Sequence, residues 1–244
     1  MTMTAGQICQ EVYGLSGFDS NGQFAQSPDP DDRLIFFLLR QAIRDVGKYR
    51  WQALVRTGSI KIETPGGGSN PVPDTGDTKF ELPEDFREFI PNSLVMESDM
   101  NTVVLPTNYP RWMQMEHVTL ATGPCHYMRI ENNQLNTLPG ADRGGILWFK
   151  YISNYPVVDG AGQVYKRTCT VDSDVVLLDE DLMIKALKAK WSIEKSLETL
   201  QFDVMAFDTY LRELRGTDAN AMTINFVGSA DRYYPGAPYT SLWK

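Results

Sequence analysis

The chain has 244 residues, 42% of them hydrophobic, with a formal net charge of −8 and a sequence pI of about 4.8. This acidic balance disfavours tight binding of nucleic-acid phosphates, which needs a basic surface. No stretch approaches the roughly 18 apolar residues of a membrane span, and residues 1–14 lack the regions of a signal peptide. We therefore expect a protein that is made in the cytoplasm and has no membrane partner.

Two amphipathic helices are predicted in residues 1–52. The first covers Thr4 to Leu15, where Thr4 and Gln7 match a capping box. The second begins near Asp29 or Asp31, either of which could cap it, and continues to about residue 50. Its apolar stripe comprises Ile35, Leu38, Leu39, Ala42, Val46 and Tyr49.

Residues 53–177 are predicted to be rich in β-strands. "GSIKIET" and "TKFEL" alternate in polarity and predict a long hairpin with an oversized loop, 64–78. Asn132-Asn133 predicts a tight turn between two further strands. "GILWFKYIS", 145–153, is nearly all apolar and predicts a central strand that is buried on both faces, and "YKRTCTV" indicates another strand.

The stretch "KFELPEDFREFI" predicts a structural corner. Pro83 ends a strand, because a proline need not donate a hydrogen bond there, and the next turn redirects the chain. Phe86, Phe89 and Ile90 follow at helix-like spacing, and we expect them to fasten the corner to the core. The alternative is that Phe86 is exposed and contacts a partner.

The closing part of the chain is again helical in pattern. Apolar residues recur every three or four positions from Leu182 to Leu214, with acids before the first and Gly216 after the last. A break near 199–203 would give two helices. Residues 217–244 are predicted to form an extended arm, with alternating Met222, Ile224 and Phe226 able to add a strand to a neighbour's sheet.

The fold class predicted from these patterns is α+β. A helical bundle is built from residues 1–52 and 178–216, residues 53–177 form an inserted antiparallel β-rich region, and 217–244 form the arm. We expect the arm to bind a neighbouring subunit or another partner through its apolar and aromatic residues, which are Ile224, Phe226, Tyr233, Tyr234, Tyr239 and Trp243.

No pattern in the sequence indicates catalysis or a cofactor. The three cysteines are widely spaced and odd in number, which favours reduced structural thiols over disulfides or zinc. His117 and His126 lack metal-ligand spacing. Asp172 and Asp174, followed by the acids at 179–181, miss the calcium-loop pattern, and we expect this group to serve as acids at a helix start. We therefore expect no catalytic, cofactor or metal residues.

The order of motifs resembles the head-to-tail connector (adaptor) proteins of tailed bacteriophages, particularly short-tailed ones. The resemblance covers about residues 4–216. The motifs that carry it are "LLRQAIRDVGKYRW" before "GSIKI", then "FELPEDFREF", "YMRIENNQLNTLPG", "LWFKYISNYPVV" and "DSDVVLLDEDLMIKALKAKW".

The resemblance implies a structural virion protein of the neck or tail, assembled in the host cytoplasm. It implies a homo-oligomeric ring, commonly of twelve copies, under the portal protein. The ring would help retain packaged DNA and attach tail or nozzle proteins. Double-stranded DNA would pass through the channel without sequence-specific binding, and the acidic charge of each copy would repel its phosphates.

Other functions remain open at this point. One is a different neck or tail subunit, such as a stopper, a tail-tube protein or a minor capsid protein. Another is a virion-associated cell-wall hydrolase that uses Glu84 or Asp85 with a second carboxylate. A third is a carbohydrate-binding module that uses Trp112, Trp148 and Tyr151.

Overall fold

The computed structural model contains both helices and sheets, as an α+β fold requires. It describes residues 2–19, 22–61, 79–90, 93, 95–96, 104–106, 109–117, 126–132, 134–138 and 146–224. Within these ranges lie five α-helices and three small sheets, antiparallel except for one parallel strand pair. The chain divides into two compact units, Val55–Asn154 and the combination of Met1–Leu54 with Tyr155–Lys244.

The helices are α1 (Ala5–Leu15), α2 (Pro30–Val46), α3 (Tyr109–His117), α4 (Glu180–Glu194) and α5 (Leu200–Ile224). The strands are β1 (Val55–Lys61), β2 (Lys79–Glu81), β3 (Phe86–Phe89), β4 (Val95–Met96), β5 (Val104–Pro106), β6 (His126–Glu131), β7 (Gln134–Leu138), β8 (Ile146–Ser153), β9 (Val157–Val158), β10 (Tyr165–Lys166) and β11 (Val175–Val176).

Capping side chains set the starts of three helices. The Thr4 hydroxyl accepts from the Gln7 amide and the Gln7 side chain accepts from the Thr4 amide, so the predicted capping box is confirmed. Asp29 caps α2 and Asp179 caps α4. Each cap satisfies a backbone donor that has no partner within its own helix.

The helical unit packs around a fully buried tryptophan of α4. Trp191 contacts Tyr13 and Phe18, with ring centroids 5.3 and 5.7 Å apart, and Tyr13 also contacts Phe24. Ion pairs from Lys190 to Asp45 and from Lys195 to Asp31 join α4 to α2. The residues of α2 buried in this core include the predicted Ile35, Leu38, Leu39, Ala42 and Val46.

A small sheet also belongs to the helical unit. Strand β9 pairs with β10 and β11, and Thr4 makes a bridge to Val175. The buried carboxylate of Asp174 accepts from Lys166 and from the Thr170 and Val171 amides. Residues 155–177 therefore pack with the helices, and the predicted boundary at 177 is displaced to Asn154.

The second unit contains two sheets. One has the order β1–β8–β3 with β4 also on β8, and the other has the order β2–β7–β6–β5. The predicted hairpin of "GSIKIET" with "TKFEL" is wrong, because β1 pairs along its whole length with β8 whereas β2 pairs with β7. The predicted loop 64–78 lies outside the described residues.

Strand β8 is central, as predicted, but it is not buried on both faces throughout. Trp148 is 43% exposed and Lys150 is exposed, whereas Tyr151, Ile152 and Ser153 at the end of the strand are buried. The predicted turn after β6 is confirmed, since Glu131 pairs with Gln134 across two residues and Asn132 has φ of 51°.

The corner after β2 is held by a carboxylate. Asp85 accepts hydrogen bonds from the Tyr151 and Ser153 hydroxyls at 2.8 and 2.6 Å, and Arg56 lies 3.5 Å away. Phe86 is buried in the core cluster of this unit, which confirms the structural corner and excludes an exposed Phe86. The helix-like spacing is misleading, however, because Phe86 begins strand β3 with a bulge.

Two helical features were not predicted. Helix α3, which contains the buried Trp112, lies in the region interpreted as strands. Helix α5 does not end at Gly216 but continues to Ile224, so the prediction of an extended chain is wrong for residues 217–224. The predicted division of the closing pattern into two helices is confirmed, with the break at 195–199 and Ser196 at φ of 49°.

Candidate interaction surfaces

The acid and the thiols considered for metal binding or disulfides have structural roles. The Asp172 side chain accepts from the Phe24 and Ala25 amides and so holds a loop. Its carbonyl oxygen accepts from the Gly6 amide in the first turn of α1. Cys9 and Cys169 are buried, and burial raises the pKa of both thiols, to about 12 for Cys169. Thiols of this kind stay protonated and are poor nucleophiles.

Neither a metal centre nor an exposed aromatic platform is formed by the described residues. No group of three His, Cys, Asp or Glu within those ranges is placed to hold a metal ion. Trp112 and Tyr151 are buried, so they form no platform with Trp148. Across the same ranges, no helix combines the length and the apolar character that crossing a membrane requires.

The predicted partner-binding arm begins at the end of α5. Ile224 is the last residue of that helix. The other predicted partner residues lie outside the described residues, and these are Phe226, Tyr233, Tyr234, Tyr239 and Trp243. The candidate surfaces described below were not predicted from the sequence.

One candidate surface is apolar and lies at the start of α5. Phe202 and Met205 are 76% and 67% exposed. A groove of about 220 Å³ involves Asp203 and Ala206 of the same helix and is also lined by Leu15 and Ile184. Large apolar side chains exposed together mark surfaces that bind other proteins.

A second surface is a stripe on the outer face of α2, which we call the arginine stripe. Arg33, Phe37, Arg40 and Arg44 recur at spacings of four, three and four, which places them on one face of a helix. Phe37 is 52% exposed, and Arg33 and Arg44 are exposed. The Arg40 Nε donates to the Thr168 hydroxyl at 3.4 Å.

The arginine stripe has no acidic partner among the described residues. The acids of α2 that make ion pairs, Asp31 and Asp45, bond instead to Lys195 and Lys190 of α4. The stripe therefore presents uncompensated positive charge around an exposed aromatic ring, on a chain that is acidic in total.

A third surface is a groove lined by both apolar and acidic residues, which we call the acidic groove. It has a volume of about 370 Å³, and its lining includes Trp51, Leu178 and Leu214 together with Asp179 and Glu180. Glu180 also lines an adjoining open depression.

The adjoining depression extends the acidic character of the groove. Its lining also includes Glu11, an exposed residue of α1. The acidic groove and its depression share no residue with the arginine stripe.

These surfaces differ in how far a sequence can indicate them. The arginine stripe is visible in the sequence as a helical spacing of four, three and four residues. It was not predicted, because the apolar face of the same helix is the stronger pattern. The acidic groove could not be predicted from the sequence, because its residues Trp51, Leu178 and Leu214 come from three distant segments. In comparison with known proteins, no family model and no curated protein matches the chain.

Proposed function

We propose that the chain is a subunit of a bacteriophage head-to-tail connector, which forms a ring under the portal. The observation that carries the proposal is the order of motifs in the sequence. A helix followed by "GKYRW" leads into a strand, and a Leu-Pro-Glu-Asp-Phe corner, a Tyr-x-x-Ile hairpin, an aromatic strand and an acid-capped helix follow. This order resembles that of the connector family over most of the chain.

Exposed apolar surface supports an assembly role. Phe202 and Met205 on α5 are mostly exposed in the single chain. Covering such side chains in an assembly would gain about 25 cal/mol for each Å² of apolar surface removed from water. A subunit that is covered by neighbours in its working state would carry side chains of this kind.

The proposal assigns a structural role and no catalytic one. Asp85, one of the two carboxylates considered for hydrolysis, accepts hydrogen bonds from two hydroxyls and lies near Arg56. In the proposed ring the terminal helices form a bundle, the β-rich unit is an insertion, and the chain after α5 is an arm that reaches the portal or a neighbouring copy. The acidic charge of the copies would let packaged DNA slide along the channel.

The experiment that tests the proposal is a measurement of native mass by mass photometry. The purified protein is measured alone and after mixing with the portal ring from the same genome. We expect a complex heavier than the portal by several copies of the 27.6 kDa chain. A protein that does not bind the portal under any assembly condition would contradict the proposal, and binding to purified tail or tail-tube components would then favour another neck or tail subunit.

A further inference from the structure

We propose that the arginine stripe of one copy docks into the acidic groove of the next copy. This inference rests on the proposed ring and deepens it, because it names the two surfaces that would join neighbouring subunits. Three observations carry it: the uncompensated charge of the stripe, the complementary charge of the residues that line the groove, and the separation of the two surfaces within one chain.

The stripe fits a protein partner better than DNA. Phosphates would be recognised by the arginines alone, and an exposed phenylalanine on the same face would gain nothing from a charged backbone. Phe37 lies between Arg33 and Arg40 and is 52% exposed. An aromatic side chain among arginines is the composition that is enriched in protein interfaces and at their energetic centres.

The acidic groove has the apolar lining and the carboxylates that would complement Phe37 and the arginines of the stripe. Its apolar floor includes Trp51, Leu178 and Leu214, and its volume of about 370 Å³ would admit an aromatic side chain. The carboxylates of Glu180 and Glu11 lie at the groove and its adjoining depression. The arginines span eleven positions of α2, about 17 Å at 1.5 Å per residue, so they flank Phe37 and would accompany it to the carboxylates of the groove and its depression.

A contact between two different surfaces of one chain extends beyond a dimer. When the stripe of one copy occupies the groove of the next, that next copy still presents a free stripe. Such head-to-tail contacts close into a ring when the rotation between copies allows it. The proposed contact is therefore of the kind that a ring requires, whereas a two-fold contact would end at a pair.

Charge reversal tests the contact, with the portal ring present and native mass as the readout. The stripe variant carries Arg33→Glu and Arg44→Glu, and the groove variant carries Glu11→Arg and Glu180→Arg. We expect each variant alone to lower the fraction of chain in rings by about tenfold or more, because like charges would face each other. An equimolar mixture of the two should restore the rings, since each stripe then meets a groove of opposite charge.

A single chain that carries all four substitutions provides the matched control. Its net charge equals that of the wild type, and it should also form rings. Lys150→Glu, an exposed reversal in the β-rich unit, should leave ring formation unchanged. Far-UV circular dichroism and thermal unfolding must match the wild type, and Arg44→Glu alone replaces the stripe variant if that variant does not fold.

The outcomes separate the contact from the ring itself. If the wild type forms rings with the portal and both reversals still form them, the contact is overturned and the connector function stands. If each reversal abolishes rings but neither the mixture nor the four-fold variant restores them, the pairing of these two surfaces is overturned. A wild type that forms no ring under any condition overturns the connector function and this contact together.

Discussion

Replacing Gly58 with alanine tests the packing of the β-rich unit. Gly58 lies in β1 opposite Phe149 of β8. A Cβ atom at this position would lie 2.6 Å from both Cε2 and Cζ of the Phe149 ring. The preferred separation of carbon atoms is about 3.5–4.0 Å, so the ring would have to move by about 1 Å.

The ring has little room to move. Phe149 is 1% exposed, and the rings of Phe89 and Tyr151 lie 5.2 and 5.7 Å from it. Forcing an extra methyl group into such a core costs about 1–3 kcal/mol. Alanine also restricts the unfolded chain more than glycine does, and this stabilises the folded state by about 0.4–1 kcal/mol. We therefore expect Gly58→Ala to lower the free energy of unfolding by about 1–2 kcal/mol.

Urea denaturation combined with hydrogen exchange of the β1 and β8 amides measures this change. Gly14→Ala is the matched control, because a Cβ at Gly14 of α1 meets nothing within 4 Å and alanine should stabilise that helix. In a Phe149→Leu background, Gly58→Ala should cost much less, since the clashing ring atoms are gone. A Gly58→Ala protein as stable as the wild type in both backgrounds would refute the reasoning.

Three further changes test the polar contacts. Asp85→Ala should lower the free energy of unfolding by about 1–3 kcal/mol in urea denaturation, because the hydrogen bonds from two hydroxyls and the ion pair with Arg56 are lost. An unchanged value would contradict the role of Asp85 in the corner. Burial opposes ionisation of Asp203, but hydrogen bonds from Ser192 and Thr199 and the ammonium of Lys188 lower its pKa. Its contribution to stability should therefore be present at neutral pH and be lost as the pH falls through that lowered pKa. In Asp203→Asn, the melting temperature should depend less on pH in this acidic range. Thr4→Ala should lower the free energy of unfolding by about 1 kcal/mol, because it removes the capping box. Thermal unfolding followed by circular dichroism measures this change, and an unchanged stability would contradict the role of the cap.

Local chemistry explains which parts of the fold were predictable. The caps at Thr4, Asp29 and Asp179 need only side chains within three residues, so their helix starts could be read directly. The turn after β6 needs only two asparagines, one of them at positive φ. The end of α5 was misread at Gly216, because one glycine weakens a helix without having to end it.

Long-range pairing explains what could not be predicted. Strand β1 alternates in polarity in a way that suits any antiparallel partner, and the nearest partner along the chain was expected. The structure pairs it instead with β8, about ninety residues further along, and this places Gly58 against Phe149. No local pattern distinguishes these two pairings, because both satisfy the same backbone donors and acceptors.

By itself, the sequence determined helices α1, α2, α4 and the start of α5, the caps, the mixed α+β class and the face of α2 on which apolar residues lie. Only the tertiary structure decided which strands pair, that residues 155–177 pack with the helices, and that distant apolar and acidic residues meet in one groove. The physical reason is the range of the interactions. Capping and helical periodicity act within a few residues, whereas sheet pairing and grooves depend on residues that only the folded chain brings together.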